Sequence, residues 1–254
     1  MKKHYFISDL HLGASYIKDS RAHETRVIGF LDTIKGDASS LYLLGDILDY
    51  WFEYKNVVPQ GHVRFFGKLA ELADAGVKIY WMTGNHDVWL RNYLKEEIGL
   101  TVYYGNTTIS LDGHEVFISH GDDVGRRSFV YRVTRALFYN KFCQWLYAAI
   151  HPRWTTQIAT GISTQNRTSR DLVKEEQAIA DAAQALIDFT ISHSAQHPEV
   201  KHYIYGHLHL AKQHEISNGV QITFLGDWIS QDTYAVFDGY TLQQKHWNND
   251  STQH

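Results

Sequence analysis

A chain of 254 residues with 44% hydrophobic content can bury a substantial core without disulfides or a structural metal, and it suits one large domain, with or without an insertion. Cys143 is its single cysteine, so an internal disulfide is excluded and a reducing compartment, the bacterial cytoplasm, is expected. No run of about 18 apolar residues occurs, which excludes a membrane-spanning helix.

From the start, Met1-Lys2-Lys3-His4 is basic but passes directly into Tyr5-Phe6-Ile7-Ser8-Asp9, so no secretory leader is expected. Short apolar runs then recur, and most end in a polar cluster. Residues 5–7 precede Ser8-Asp9, 41–44 precede Gly45-Asp46, and 79–82 precede Thr83-Gly84-Asn85. Further along, 116–118 precede Ser119-His120, 203–205 precede Gly206-His207, and 222–225 precede Gly226-Asp227. Their length and bulky apolar content predict buried strands. Between them, Val27, Ile28, Leu31 and Ile34 share one helical face, as do Phe66, Leu69, Ala70 and Ala73, and Ile179, Ala182, Leu186 and Phe189. Strand–helix alternation predicts an α/β fold. Ligands in such folds gather beyond the C-terminal ends of the strands, where these polar clusters fall.

Residues 125–170 break the pattern and read as an inserted helical cap within one domain spanning 1–254. Residues 136–150 are apolar nearly all round, as in a helix that is buried or covers something greasy. The stretch from Gly125 to Asp171 holds Arg126, Arg127, Arg132, Arg135, Lys141, Arg153, Arg167 and Arg170 against one acid, Asp171. It is therefore +7 within a chain of net −4. A basic block in an acidic chain either contacts something anionic or is a solvated helix face. Arg126, Arg127 and Arg135 are the candidates for substrate phosphates or anionic lipid. Phe138, Phe142, Trp145 and Leu146 are the candidates for lining an apolar cleft.

The polar clusters carry the chemistry. Asp9-Leu10-His11 and Gly45-Asp46-Ile47-Leu48-Asp49 each put a carboxylate just past a strand, and either alone is a weak signal. Gly84-Asn85-His86-Asp87 has the composition of a turn, but no turn geometry requires its histidine. His120-Gly121-Asp122 and Gly206-His207-Leu208-His209 follow strands as well. Jointly, the strand ends present Asp, His and Asn, the mixed oxygen and nitrogen set that Mn, Fe and Zn accept. There are enough ligands for two ions with one carboxylate bridging, and two such ions can clamp the attacking and leaving oxygens of a phosphoryl centre.

In this order the motifs resemble the calcineurin-like metallophosphoesterase superfamily. The resemblance implies a sandwich of two mixed β-sheets flanked by helices. It implies one metal on Asp9, His11, Asp46 and His209, a second on Asp46, Asn85, His120 and His207, and Asp46 as the bridge. His86 matches the family's non-ligand histidine, which contacts phosphate or protonates the leaving oxygen. Asp49, Asp87 and Asp122 are then either supports for the ligands or plain turn and cap stabilisers. Mn²⁺ is the first choice of metal, with Fe or Zn as alternatives.

Within the superfamily, residues 6–13, the run 43–52, the insertion after Asp122 and Leu225-Gly226-Asp227-Trp228 are similar to the UDP-2,3-diacylglucosamine pyrophosphatases of lipid A synthesis. That likeness implies hydrolysis of UDP-2,3-diacylglucosamine to UMP and 2,3-diacylglucosamine 1-phosphate. It further implies a peripheral position on the cytoplasmic face of the inner membrane and acyl chains held by the insertion. The chain departs from the well-known branch in carrying His86 where arginine is common and Leu210-Ala211 where Arg-Pro is common. A phosphodiesterase, nuclease or phosphatase using the same two metals is the alternative. A scaffold that lost its chemistry is a third reading, opposed by the full ligand set. Nucleic acid is not the expected partner, because a nuclease favours an open basic groove with exposed aromatics.

Overall fold

The computed structural model describes residues 2–125, 129–155 and 172–248. Strands β1 (Lys3–Ile7), β2 (Ala38–Leu44), β3 (Lys78–Met82) and β4 (Thr101–Tyr103) alternate with helices α1 (Ser20–Ile34), α2 (Val63–Asp74) and α3 (Tyr93–Ile98). Strands β5 (Thr107–Leu111) and β6 (His114–Ser119) come next, then α4 (Phe129–Tyr139), α5 (Lys141–Ala148) and α6 (Leu172–Gln196). The chain closes with β7 (Val200–Tyr205), β8 (Ala211–Ile216), β9 (Val220–Leu225), β10 (Thr233–Phe237) and β11 (Leu242–His246).

Two mixed sheets result. One runs β11-β10-β1-β2-β3-β4, with β1 to β4 parallel; the other runs β5-β6-β7-β9-β8, with β6, β7 and β9 parallel. The alternating side chains of each strand explain the layering. Phe6, Tyr42, Leu44 and Met82 of the first sheet meet Val116, Ile118, Ile204 and Leu225 of the second in a core between them. The intervening residues Ile7, Leu41, Leu43, Ile79 and Trp81 turn outward onto α1 and α2, into a cluster with Val27, Phe30, Leu31, Phe65 and Leu69. On the opposite side, Phe117, Tyr203, Tyr205, Ile222 and Phe224 pack beneath Ala183 and Leu186 of α6. These are the two mixed sheets flanked by helices that the motif order implied.

The helix faces are rotated slightly from those expected. Phe30 is buried in α1 where Ile28 was expected, and in α2 Phe65 and Leu72 are buried while Phe66 and Ala73 pack at the margin. A stripe more than 100° wide tolerates either choice from periodicity alone, and the neighbouring sheet decides.

Residues 136–150 form two helices rather than one. Asn140 breaks the stretch by capping α5, its side-chain oxygen accepting from the amides of Phe142 at 2.9 Å and Cys143 at 3.1 Å. An Asn is a poor helix-interior residue and a strong N-cap for this reason. The described part of the expected cap thus consists of α4, α5 and residues 149–155, and the rest of the 125–170 range lies outside the described residues, Arg126, Arg127, Arg167 and Arg170 included.

Candidate metal centre

The loops after β1, β2 and β3 of one sheet and after β6, β7 and β9 of the other converge at the same end of the sandwich. This follows from the two parallel cores, because parallel strands deliver all their C-terminal ends to one side. Asp9, His11, Asp46, His207 and His209 all adopt positive φ, between 46° and 70°. Each such residue costs on the order of 1–3 kcal/mol and persists only where its surroundings dictate it.

Backbone bonds between the loops supply that constraint. The amide of Asp9 donates to Gly45 O at 3.1 Å, that of His11 to Asp46 O at 3.0 Å, and that of Leu12 to Ile47 O at 2.9 Å. The His207 amide donates to Asp9 Oδ2 at 2.9 Å, and the His86 amide to Asp46 Oδ1 at 2.9 Å. Two glycines are sterically required. A Cβ on Gly84 would lie 2.2 Å from Asp46 Oδ1, and one on Gly45 would lie 2.4 Å from His120 Nδ1.

Ligand-type atoms gather into two groups, Asp9 with His11 and His209, and Asp46 with His120 and His207; Asp46 also lies within reach of His11 and His86. Asp46 thus stands between the two groups. Asn85 follows Gly84 in the same loop as His86 and is exposed.

The hydrogen bonds fix how the imidazoles point. His120 Nδ1 donates to Leu44 O at 2.8 Å, which turns its Nε2 into the site. That Nε2 is buried without a hydrogen-bond partner, 3.3 Å from Asp46 Oδ2. His11 Nδ1 faces Asp49 Oδ1 at 3.3 Å and His209 Nδ1 faces Asp227 Oδ2 at 3.4 Å. Carboxylates on both Nδ1 atoms direct the two Nε2 atoms at each other, 3.3 Å apart, beside the buried, unbonded Asp9 Oδ1. Acceptors converging in a dry site call for a cation. The residues present therefore fit divalent metal.

The carboxylates and imidazoles of the site also hold one another's charge: burial would lower His120, but Asp46 raises it well above its usual value. Burial pushes the Asp46 carboxyl up, but His120, His86 and His11 outweigh it and hold the group well below the usual carboxylate range. Burial would lower His86, yet Asp46 and Asp49 raise it to about 9. His86 is half-buried, and its Nδ1 donates to Asp49 O at 2.9 Å, which leaves Nε2 for the rim of the site. Burial and the charge of Asp46 push Asp87 up to about 6.

The three supporting carboxylates separate by role. Asp49 faces the imidazoles of His11 and His86. Asp87 accepts from the Gly84 and Ile47 amides and from Trp81 Nε1, so it holds loops rather than ligands. Asp122 is bound by Tyr131 at 2.7 Å and by Arg135, and so ties α4 to the site loop. Arg135 is therefore engaged with Asp122 and with the Tyr139 ring, 4.6 Å away. Phe138, Phe142, Trp145 and Leu146 are 45%, 64%, 65% and 47% exposed. Contacts to the body centre on Trp89, whose Nε1 donates to Phe138 O at 2.9 Å and whose ring lies 5.3 Å from that of Phe138 and 4.7 Å from that of Tyr147. Asp227 lies outside the ligand set that the motif order implies; its signal is that Leu225-Gly226-Asp227 repeats the strand–Gly–Asp pattern of Leu44-Gly45-Asp46.

Residues 3–211 match the calcineurin-like phosphoesterase family, and the chain belongs to it. Metal-dependent hydrolysis of phosphate esters is the chemistry of that family. The chain is 43% identical to a UDP-2,3-diacylglucosamine hydrolase from Porphyromonas gingivalis, over 94% of this chain and 95% of the relative. It is 30% identical to proteins of the same name from Shewanella baltica, over 94% of this chain and 95% of the relative, and from Pasteurella multocida, over 96% and 97%. A dimetal phosphatase structure from Danio rerio superposes with a TM-score of 0.45 at 13% identity, covering 97% of this chain and 99% of that one.

Proposed function

We propose that this chain hydrolyses the pyrophosphate of UDP-2,3-diacylglucosamine, giving UMP and 2,3-diacylglucosamine 1-phosphate. One observation carries the chemistry: Asp9, His11 and His209 form one ligand group, Asp46, His120 and His207 form a second, and Asp46 also lies within reach of His11. The substrate follows from the name of the relatives that match along nearly the whole chain. Asp9, His11, Asp46 and His209 would hold one divalent ion and Asp46, Asn85, His120 and His207 the other, with Mn²⁺ the first choice and Fe or Zn the alternatives. When bound, such ions activate water at neutral pH and neutralise charge on a phosphoryl group.

The chain's own residues do the rest. Asp49 and Asp227 hold His11 and His209 in the tautomer that faces inward. His86, set at the rim with its Nδ1 held by Asp49 O, stabilises negative charge on the phosphoryl oxygens through Nε2. A sugar-lipid 1-phosphate is a good leaving group and needs no proton from it. The exposed apolar residues of α4 and α5 face acyl chains, and exposed Arg132, Lys141 and Arg153 face the anionic cytoplasmic surface of the inner membrane. The absence, among the described residues, of any helix able to cross a membrane is compatible with peripheral attachment. Binding to anionic vesicles weakens as salt rises; binding indifferent to salt would count against this part.

Hydrolysis in ¹⁸O-labelled water with Mn²⁺ tests the reaction. The label is expected in UMP; label in the lipid phosphate places attack on the other phosphorus, and no turnover rejects the substrate. Exposed Phe142, Trp145 and Trp154 beside basic residues also suit a single-stranded nucleic-acid surface. An oligonucleotide and simple diesters therefore belong in the same panel, and their faster cleavage would favour the phosphodiesterase reading.

A further inference from the structure

Behind the centre, α1 carries a polar pair outside both ligand groups. His23 is 3% exposed, and its Nε2 lies 2.7 Å from the carbonyl oxygen of Leu10, the single residue between Asp9 and His11. Arg26, one turn on, places Nη2 2.9 Å from His23 Nδ1 and 2.7 Å from the Trp228 carbonyl oxygen. Its Nε pairs with Asp232 Oδ1 at 2.9 Å. A guanidinium only donates, so His23 Nδ1 must accept and the imidazole proton must sit on Nε2, aimed at Leu10. Burial, with the nearby Arg26 charge, lowers the His23 pKa and favours the neutral ring this arrangement needs.

Of the two carbonyls held this way, one lies in the loop that carries Asp9 and His11, and the other in the loop after β9 that sets Asp227 behind His209. Leu10 lies between Asp9 and His11, whose φ angles are 55° and 46°. Trp228 donates its amide to Asp9 O at 3.2 Å and follows Asp227, the carboxylate behind His209. One guanidinium thus fastens both loops, directly at Trp228 and through His23 at Leu10. The group of Asp46, His120 and His207 is held by other contacts, Leu44 O and the His86 amide among them.

We propose that His23 and Arg26 are positioning residues that hold the loop of Asp9 and His11, and the loop of Asp227 and Trp228 behind His209, in their ligand-ready conformation, and so set the cation affinity of that half of the centre more than that of the other. Removing the pair leaves every ligand in place but lets the two loops relax. The inference rests on the metal-centre reading above.

The test is Mn²⁺ titration of the metal-stripped full chain by calorimetry, with bound metal counted by elemental analysis. Wild type is expected to take up two ions. His23→Phe keeps a ring but loses both polar contacts, and one ion should bind about 10–100-fold more weakly while the other weakens by much less. His23→Gln can still donate to Leu10 and accept from Arg26, so it should restore most of the loss. Val27→Ala removes a fully buried side chain from the same helix and should lower the melting temperature without changing either affinity. Two wild-type affinities in His23→Phe, or the same loss in Val27→Ala, would overturn the inference. If His23→Phe does not fold, Arg26→Gln takes its place, with the same expected loss and the same overturning result. A wild-type chain that binds no Mn²⁺ would reject the metal-centre reading itself, whereas two tight ions in every variant would reject only the role of the pair.

Discussion

Asp9, Asp46 and His120 are at most 2% exposed, whereas Phe142 and Trp145 on the cap are 64% and 65% exposed. The ligand cradle places polar groups where water is absent, and the cap places large apolar groups where water is present. Both go against the usual distribution, and both are costly without a partner. In the cradle the cost is met locally, by loop-to-loop amide bonds and by carboxylates behind the imidazoles. On the cap nothing among the described residues covers the exposed rings. The contrast teaches where each partner comes from: a small cation fits the first, and a large apolar surface fits the second.

The largest effect is expected where the cradle loses the residue between its two groups. Asp46→Ala should reduce turnover to background and strip bound metal. Gly84→Ala should act similarly although it changes no ligand, since its Cβ would lie 2.2 Å from Asp46 Oδ1. Elemental analysis finding two ions in Gly84→Ala would show that the cradle is softer than its geometry implies.

Next comes the rim. His86→Ala should retain both metals and lose about 10²–10³-fold in kcat, the range for removing one group that stabilises developing charge. Metal counts alongside steady-state kinetics decide this; an empty site in His86→Ala would make it a ligand rather than a substrate contact.

A smaller effect is expected at the junction of the two regions. Arg135→Gln leaves the buried Asp122 with Tyr131 but without its ion-pair partner. About 1–3 kcal/mol of stability should be lost, the usual cost of an under-satisfied buried group. Thermal denaturation measures the loss, and hydrogen exchange should find the faster opening in α4. An unchanged melting temperature would detach the cap from the cradle in energetic terms.

The smallest effect on stability is expected on the cap surface. Phe142→Ser with Trp145→Ser should change stability by no more than about 0.5 kcal/mol per site, as exposed positions do. The same variant should raise KM for the diacylated substrate about tenfold or more, since each ring forfeits about 1.5–3 kcal/mol of burial against an acyl chain or bilayer. Turnover of a small water-soluble diester should stay as in wild type. An equal loss on both substrates would place these rings in the chemistry rather than in lipid recognition.

The buried parallel strands were legible because short apolar runs ending in Gly-Asp or His-Gly carry their own boundaries. Strands β5 and β8 were not, since β5 alternates exposed and half-buried positions apart from Leu111, and β8 is an edge strand with no buried residue. The ligand candidates were legible for the same reason as the strands: each sits two to four residues past an apolar run, and residue type survives without any knowledge of geometry. Their supports were less so. Asp49 and Asp87 lie in the same motifs, yet only the fold shows one behind an imidazole and the other beneath a loop. His23 and Arg26 look like ordinary residues of an amphipathic helix, and Asp227 like a turn residue.

The sequence alone determined the α/β alternation, the strand ends that carry carboxylate and imidazole, and the greasy, basic character of residues 125–170. Tertiary structure decided that Asp46 stands between two ligand groups, that Arg135 is held by Asp122, and that Asn140 divides the cap stretch into two helices. The physical reason is range. Periodicity and residue type are local properties of the chain, whereas which lone pairs face one another across 3.3 Å depends on contacts between residues as far apart as His11 and His209.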